Sequence, residues 1–226
     1  MVTENNLEQL KVIKLLNLEE TMAKTIFEGA IFPWEILPKI GDFIINLGKQ
    51  LDKQNFKEIK ENVWVANSAT IAPTVCIEGP CIIDENANVK HSAYIRKNVI
   101  IGKNAVVGNS TELKNVILFN NVQVPHYNYV GDSILGYKAH MGAGSIASNL
   151  RSDKANVTIR FKNQKLETNL RKFGAILADN TEIGCGCVLN PGCIIGKNTI
   201  IYPLSSVKGY VNENSIYKNQ NEIVGK

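Results

Sequence analysis

The chain of 226 residues carries 25 Lys and Arg against 21 Asp and Glu, with 44% hydrophobic and 20% charged residues. That composition excludes a disordered or fibrous chain, and a net charge of +4 is too small to mark a nucleic-acid binder. Aromatic residues make up only 7%, so the core must be built from Ile, Val, Leu and Ala; no apolar run approaches the ~20 residues of a membrane span.

The first residues, MVTENNLEQL, lack the basic-then-apolar pattern of a secretory signal. Five cysteines, an odd number without metal-type spacing, point to a reducing cytoplasm. Over residues 1–56, Leu7, Leu10, Ile13, Leu16, Met22, Ile26 and Phe27 recur at roughly helical spacing. After the turn-prone FPWEILPKIG, Phe43, Ile44, Leu47 and Leu51 suggest a second amphipathic helix. The expected structure is a helical cap over the first coil of the repeat that follows, where a solenoid needs protection.

From Val65 the sequence is periodic. Val65, Ile71, Ile77, Ile83, Val89, Ile95, Ile101, Val107 and Leu113 stand six apart, and Leu177, Ile183, Leu189, Ile195, Ile201 and Val207 resume the series. A small or β-branched residue usually follows four places on, as at Ala69, Val75, Cys81, Ala87 and Ala93. A period of six fits neither the helix period of 3.6 nor a long alternating strand. It fits short strands joined by tight corners, stacked so that each anchor lies about 4.8 Å from its equivalent. Cys81, Cys187 and Cys193 fall on the small inward place; Cys76 and Cys185 do not. This pattern resembles the hexapeptide-repeat, left-handed parallel β-helix family, with three hexads to a coil. The expected fold is mainly β, with the helix over 57–226.

The anchor spacing slips to five at Leu113–Leu118 and Val130–Leu135, and the pattern breaks between Ala147 and Leu177. Inside that gap, NVTIRFKNQKLET alternates Val157, Ile159 and Phe161 with polar residues and turns at Asn163–Gln164, which reads as a projecting β-hairpin within a basic insertion at 148–175. Between Arg151 and Lys172 seven Lys or Arg face two acids, so this segment accounts for the excess charge of the chain. It reads either as a site for a small anionic ligand or as a solvated loop.

Chemistry must be sought in residues the repeat does not require. His126 occupies a corner place that should point outward, close to Tyr127, Tyr129 and Asp132, and imidazole is the side chain best suited to take a proton near neutral pH. The stretch GNSTELKNVILFNNVQVPHYNYVGDSILGYKAHMGAGSIASN resembles the acetyltransferase half of the bifunctional N-acetylglucosamine-1-phosphate uridylyltransferases. It shares the G-N…E-x-K opening, the H-x-x-Y-x-G-D core and the G-A-G-[ST]-I…N close. The resemblance implies an acetyl-CoA-dependent N-acyltransferase acting on a phosphorylated or nucleotide-linked amino sugar, assembled as a homotrimer. It implies His126 as base and the Ala143 amide as oxyanion donor, with Arg96 and Lys114 binding a sugar phosphate. It further implies Tyr129 against the sugar and Asn149 on the coenzyme side.

The chain also departs from that pattern. His140 stands in place of a sugar-binding asparagine, Cys185 in place of a serine on the coenzyme path, and Leu150 in place of a tyrosine; Tyr202-Pro203 interrupts a small pair. The segments NLRSD and RKFGA resemble archaeal-type sugar-1-phosphate nucleotidylyltransferases, and the whole chain resembles stand-alone proteins related to UDP-N-acetylglucosamine pyrophosphorylase. With no glycine-rich nucleotide loop, uridylyl transfer is not expected. Two further readings stand beside the acyltransferase. One is a non-catalytic sugar-nucleotide-binding or assembly module; the other is a zinc hydratase using His91, His126 and His140, whose spacing lacks the close histidine pair such enzymes use.

Overall fold

The computed structural model describes residues 4–226. From Val63 to Val211 the chain winds as a left-handed parallel β-helix with three short strands to a coil. On the first face, Val63–Val65, Cys81–Ile83 and Val99–Ile101 stack in register. The second face stacks Thr70–Ile71, Asn88–Val89 and Val106–Val107, and the third begins with Cys76–Ile77 and Tyr94–Ile95. The sixfold anchors are the inward residues: Ile83, Val89, Ile95, Ile101, Val107 and Leu113 are each 0% exposed. Burying each contributes about 1.5–3 kcal/mol, which is why a chain with few aromatics can hold this shape.

The corners require left-handed backbone. Between the first and second faces it comes from Asn86, Asn104, Asn121, Asn180 and Asn198, with φ of 56, 56, 61, 58 and 58°; asparagine tolerates this region better than other side chains with a Cβ. Between the third and first faces the two slipped steps have a visible consequence. Third-face strand runs straight into first-face strand, giving the seven-residue strands Glu112–Leu118 and Tyr129–Leu135. Both turn at left-handed residues, Asn115 (φ 55°) and Asp132 (φ 47°). The broken stretch after Ala147 is an insertion at this same corner, and the helix resumes at Ala175–Leu177 beneath Ile134–Leu135.

The segment before the helix departs from expectation. It is not a cap confined to the first coil but a strap along the whole first face. Asp179 N–H donates to Leu15 O (3.2 Å), Asn120 N–H to Glu20 O (2.9 Å) and Asn115 Nδ2 to Leu37 O (3.1 Å). A Cβ on Gly48 would fall 2.2 Å from the Trp64 ring. The strap therefore runs backwards from the later coils to the first. The reason lies in the middle residues of the first-face strands. Ile82, Ile100, Ile117, Ile134, Ile176 and Ile194 point away from the helix interior, and all are 0% exposed. This external apolar stripe needs a cover, and Leu10, Leu15, Trp34, Ile36, Leu37, Ile40 and Ile44 supply it. Long helices do not form: apart from Val12–Leu15 and Ile40–Gly48, the strap is a chain of 3-10 turns, with Pro33 and Pro38 removing backbone donors.

The inserted hairpin, Thr158–Phe161 paired with Gln164–Glu167, does not project either. Val157, Ile159 and Phe161 are buried, with the Phe161 ring 5.2 Å from that of Tyr210, so the hairpin continues the cover of the first face. Trp34 meets Phe173 of the insertion at 6.1 Å, joining the two covers. Phe56–Lys60 pairs antiparallel with Val63–Ala66 and Glu222–Gly225 with Ser215–Asn219, covering the start of the first face and the end of the second. Among the described residues no helix is long and apolar enough to cross a membrane.

Candidate active site

The second and third faces remain uncovered, and the corner between them gathers four of the residues singled out from sequence. His91, Asn109, His126, Ala143 and Cys185 occupy equivalent places on successive coils. Asn109 is in register with His126; Gly144 N–H donates to His126 O (3.0 Å), and Gly186 N–H to Ala143 O (2.8 Å). His126, Ala143 and Cys185 therefore form a column with a rise of about 4.8 Å per coil. Each is followed by a left-handed residue: Tyr127 (φ 52°), Gly144 (φ 70°) and Gly186 (φ 66°).

The chemistry of this column is specific. His126 is exposed, and its ring enters no hydrogen bond with the described residues. Gly142, Gly144 and Ser145 all donate their backbone N–H groups within the protein, whereas the Ala143 and Cys185 N–H groups meet no acceptor among the described residues. An exposed imidazole thus sits one coil from a backbone donor held by its neighbours yet free itself. That is the arrangement a base and an oxyanion donor require.

Asn128 was missed in the sequence, and it fixes this corner. It is 2% exposed and stands where the neighbouring coils have Thr111 and Ser145. Its Oδ1 accepts from His126 N–H (3.1 Å), and its Nδ2 donates to Gly142 O (2.8 Å) and Ser145 O (3.3 Å). One amide side chain therefore ties the backbone of His126 to the turn carrying Ala143. The signal was an asparagine at the small inward place of its hexad. Tyr127 is the other anomaly: a bulky side chain, 65% exposed, in a left-handed conformation, which costs about 1–2 kcal/mol for a residue with a Cβ.

The remaining predicted residues lie elsewhere. Arg96, Lys114 and Asn149 gather at the opposite corner of the third face, with Tyr129 on the face between. Arg96 pairs with Glu112 (2.9 Å), and Lys114 with Asp132 (3.1 Å), whose carboxylate is 7% exposed. Asp132 also accepts from Asn115 Nδ2 (3.0 Å) and from Asn149 Nδ2. Both cations expected to hold a sugar phosphate are thus already matched with carboxylates. Asn149 belongs to the side-chain ladder around Asp132 and is not brought to Cys185, so the two residues assigned to the coenzyme occupy different corners. Burial pushes the Tyr129 phenol up, and the charges of Asp132 and Glu112 add to this, so it remains a hydrogen-bond donor at neutral pH. Gly131 lets this cluster close, since a Cβ there would fall 2.6 Å from both Asn149 Nδ2 and Tyr129 Oη.

His140 stands on the second face, its Nδ1 2.8 Å from Glu182 Oε2. His91 shares the corner of His126 but with the Asn109 coil between them, and its Nδ1 meets Thr74 Oγ1 at 3.0 Å. The three histidines do not converge, and no group of three or more potential metal ligands occurs among the described residues.

Two family models match the chain: the GMPPB C-terminal domain over residues 77–160 and the bacterial transferase hexapeptide (six repeats) over 174–209. A bifunctional protein GlmU of Methanococcus maripaludis is 34% identical over 85% of this chain and 47% of its own length. A bifunctional sugar-1-phosphate nucleotidylyltransferase/acetyltransferase of Sulfurisphaera tokodaii is 31% identical over 48% of this chain and 27% of its own. The chain thus spans between about a quarter and about a half of the curated relatives it matches. Among solved structures, an N-acyltransferase from Bacillus cereus in complex with dTDP-4-amino-4,6-dideoxyglucose and coenzyme A aligns at 18% identity. That alignment covers 75% of this chain and 88% of the other, with a TM-score of 0.40.

Proposed function

We propose that the chain is an acyl-CoA-dependent N-acyltransferase, with acetyl-CoA as co-substrate and a phosphorylated or nucleotide-linked amino sugar as acceptor. The observation that carries this reading is the stacking of exposed His126 on the free Ala143 amide, joined by the Gly144 N–H to His126 O bond of 3.0 Å. The Sulfurisphaera tokodaii relative, whose name includes an acetyltransferase, supports the same class.

In this reading the acceptor amine attacks the thioester carbonyl carbon while His126 takes the proton the amine must lose. The carbonyl oxygen becomes negative as the carbon turns tetrahedral, and the Ala143 N–H stabilises it without reorganisation. Collapse expels the thiolate, which takes up a proton to leave free coenzyme thiol and the new amide. Tyr129, a donor on the adjoining face, would position a sugar hydroxyl. Exposed Ile146 and Val188 on the third face (38% and 37%) support association of copies along it, as a homotrimer would require.

The test is thiol release on incubating purified protein with acetyl-CoA and a panel of amino sugar phosphates and nucleotide-linked amino sugars. Release with at least one acceptor is expected, with His126→Ala reducing turnover by at least 100-fold while the oligomeric state is unchanged. No release with any acceptor refutes the reading. The departures at Leu150 and Tyr202 on the coenzyme side favour one alternative, a sugar-nucleotide-binding module without catalysis, and that result with retained nucleotide-sugar binding would establish it.

A further inference from the structure

With Arg96 and Lys114 held by carboxylates, a cluster of cations without ion pairs lies where the inserted loop meets the β-helix. Residues 148–153 and the docked hairpin meet Asn190, Lys208 and Gly209 of the β-helix around a cavity of about 390 Å3. Arg151, Arg160, Lys165 and Lys208 line it, with Ser148 and Asn190 as neutral polar partners. One carboxylate lies among them, Asp153, and the Arg151 guanidinium already pairs with it, holding its carboxyl well below the usual range.

The other three cations enter no ion pair among the described residues. Arg160 stands directly opposite Lys165 in the hairpin register, and like charges directly opposite destabilise a strand pair. The hairpin cannot swing away to relieve this. Its alternate residues Ile159 and Phe161 are buried, and Gly209 (φ 75°) admits the strand so closely that a Cβ would fall 2.5 Å from Arg160 O. Three cations are therefore held around one polar cavity with no counter-charge.

We propose that this cavity binds the phosphate or pyrophosphate group of an organic ligand. An anion between Arg160, Lys165 and Lys208 offsets their mutual repulsion, and a guanidinium offers paired donors to phosphate oxygens. Ser148 follows Ala143 by five residues, so at about 3.3 Å per residue the rim lies at most about 17 Å from the His126 corner. Exposed Ile146 and Val188 line the way. A ligand anchored here by phosphate can thus lay its other end at that corner; this placement rests on the acyl-transfer reading, whereas phosphate binding does not.

The test is calorimetric titration of the full chain with inorganic pyrophosphate, coenzyme A and UDP at low ionic strength. At least one is expected to bind, with affinity falling at least tenfold in Arg160→Gln/Lys208→Gln and in Lys165→Gln, and no fall in the melting temperature of the ligand-free variants, since each loses a like-charge contact. Competition with pyrophosphate by coenzyme A assigns the site to the coenzyme, and competition by UDP assigns it to the acceptor. Failure of all three probes to bind at millimolar concentration, or equal binding by the variants, overturns the proposal. Binding lost with Arg160 and Lys208 but kept in His126→Ala supports the cavity even where no thiol release is found.

Discussion

Asn128→Ala tests whether the candidate corner is held by a single buried amide. In the wild type, Oδ1 is the acceptor for His126 N–H, and Nδ2 serves Gly142 O and Ser145 O. The three losses are unequal. Gly142 O also accepts from Ser145 N–H (3.2 Å) and Ser145 O from Tyr129 N–H (3.4 Å), so each carbonyl keeps a partner. Losing one bond at each costs about 0.5–1 kcal/mol, while orphaning the His126 N–H costs about 1–3 kcal/mol. The total is about 3 kcal/mol, or a fall of about 6–12 °C in melting temperature for a chain of this size. Asn128→Ser, which installs the residue type found at the equivalent Ser145, should cost about half as much. Urea unfolding gives the stability, and thiol release from acetyl-CoA gives turnover, which should drop at least tenfold in Asn128→Ala as the backbone of His126 loosens. A loss below 1 kcal/mol, or full turnover in a destabilised variant, would show that Asn128 does not position this corner.

Three other outcomes are expected of the same fold. Burial pushes the thiols of Cys81, Cys187 and Cys193 up, whereas Cys76 and Cys185 are exposed. Iodoacetamide should therefore modify only Cys76 and Cys185 in the native protein, and acetyl-CoA should protect Cys185 alone by peptide mapping; unchanged labelling at Cys185 removes it from the coenzyme path. Asp84 is 1% exposed with Oδ2 unpartnered, and burial raises its carboxyl despite the Glu85 N–H and Lys103. A raised acid favours the folded state only while protonated, so its contribution is lost as pH rises through the folded pKa. Asp84→Asn should then stabilise more at pH 7 than at pH 4 in urea titrations, and an equal effect at both contradicts the assignment. Ile117→Ala, beneath the strap, should cost about 2–5 kcal/mol and open the strap to trypsin at Lys24 and Lys39, while Ile146→Ala on the open third face should cost under about 1 kcal/mol.

The coil was legible because its cause is local. One anchor every six residues dictates short strands and corners wherever it occurs, and even the slipped steps at Leu113–Leu118 and Val130–Leu135 correspond to the two seven-residue strands. The strap was legible only in part, because its cause has a period of eighteen. Ile82 and Ile100 are ordinary strand residues until every third hexad is compared and their outward stripe emerges. Of the residues at helical spacing, Leu7, Leu10, Leu16, Ile26 and Phe27 are buried but Ile13 is 77% exposed, because an edge that must follow the rungs of a flat face breaks into 3-10 turns. The hairpin turns at Lys162–Asn163, one residue before the expected Asn163–Gln164, and its alternation was also a sign of docking: Ile159 and Phe161 are buried, so they were never the inner side of a free ribbon.

The candidate site divides along the same line. A corner side chain points away from the packed interior, so it can change without repacking a coil, and a histidine there stands out against the repeat. His126 was legible for that reason, whereas Ala143 and Cys185 were marked only by the resemblance, and only the fold shows that offsets of 17 and 42 residues place the three in one column. Charged residues carry no such mark. The sequence motif marks Lys114 and not Lys208, yet Lys114 is spent on Asp132 while Lys208 pairs with nothing among the described residues; that difference is made by the buried Asp132, at φ 47° on a shortened corner. Shortening the coil draws a carboxylate beneath Lys114 and neutralises it. Lengthening the next coil at the same corner, through the insertion, brings Arg160 and Lys165 beside Lys208 without a counter-charge. The two irregularities of the repeat thus act in opposite directions on one corner, moving its unbalanced positive charge from the middle coils to the inserted loop.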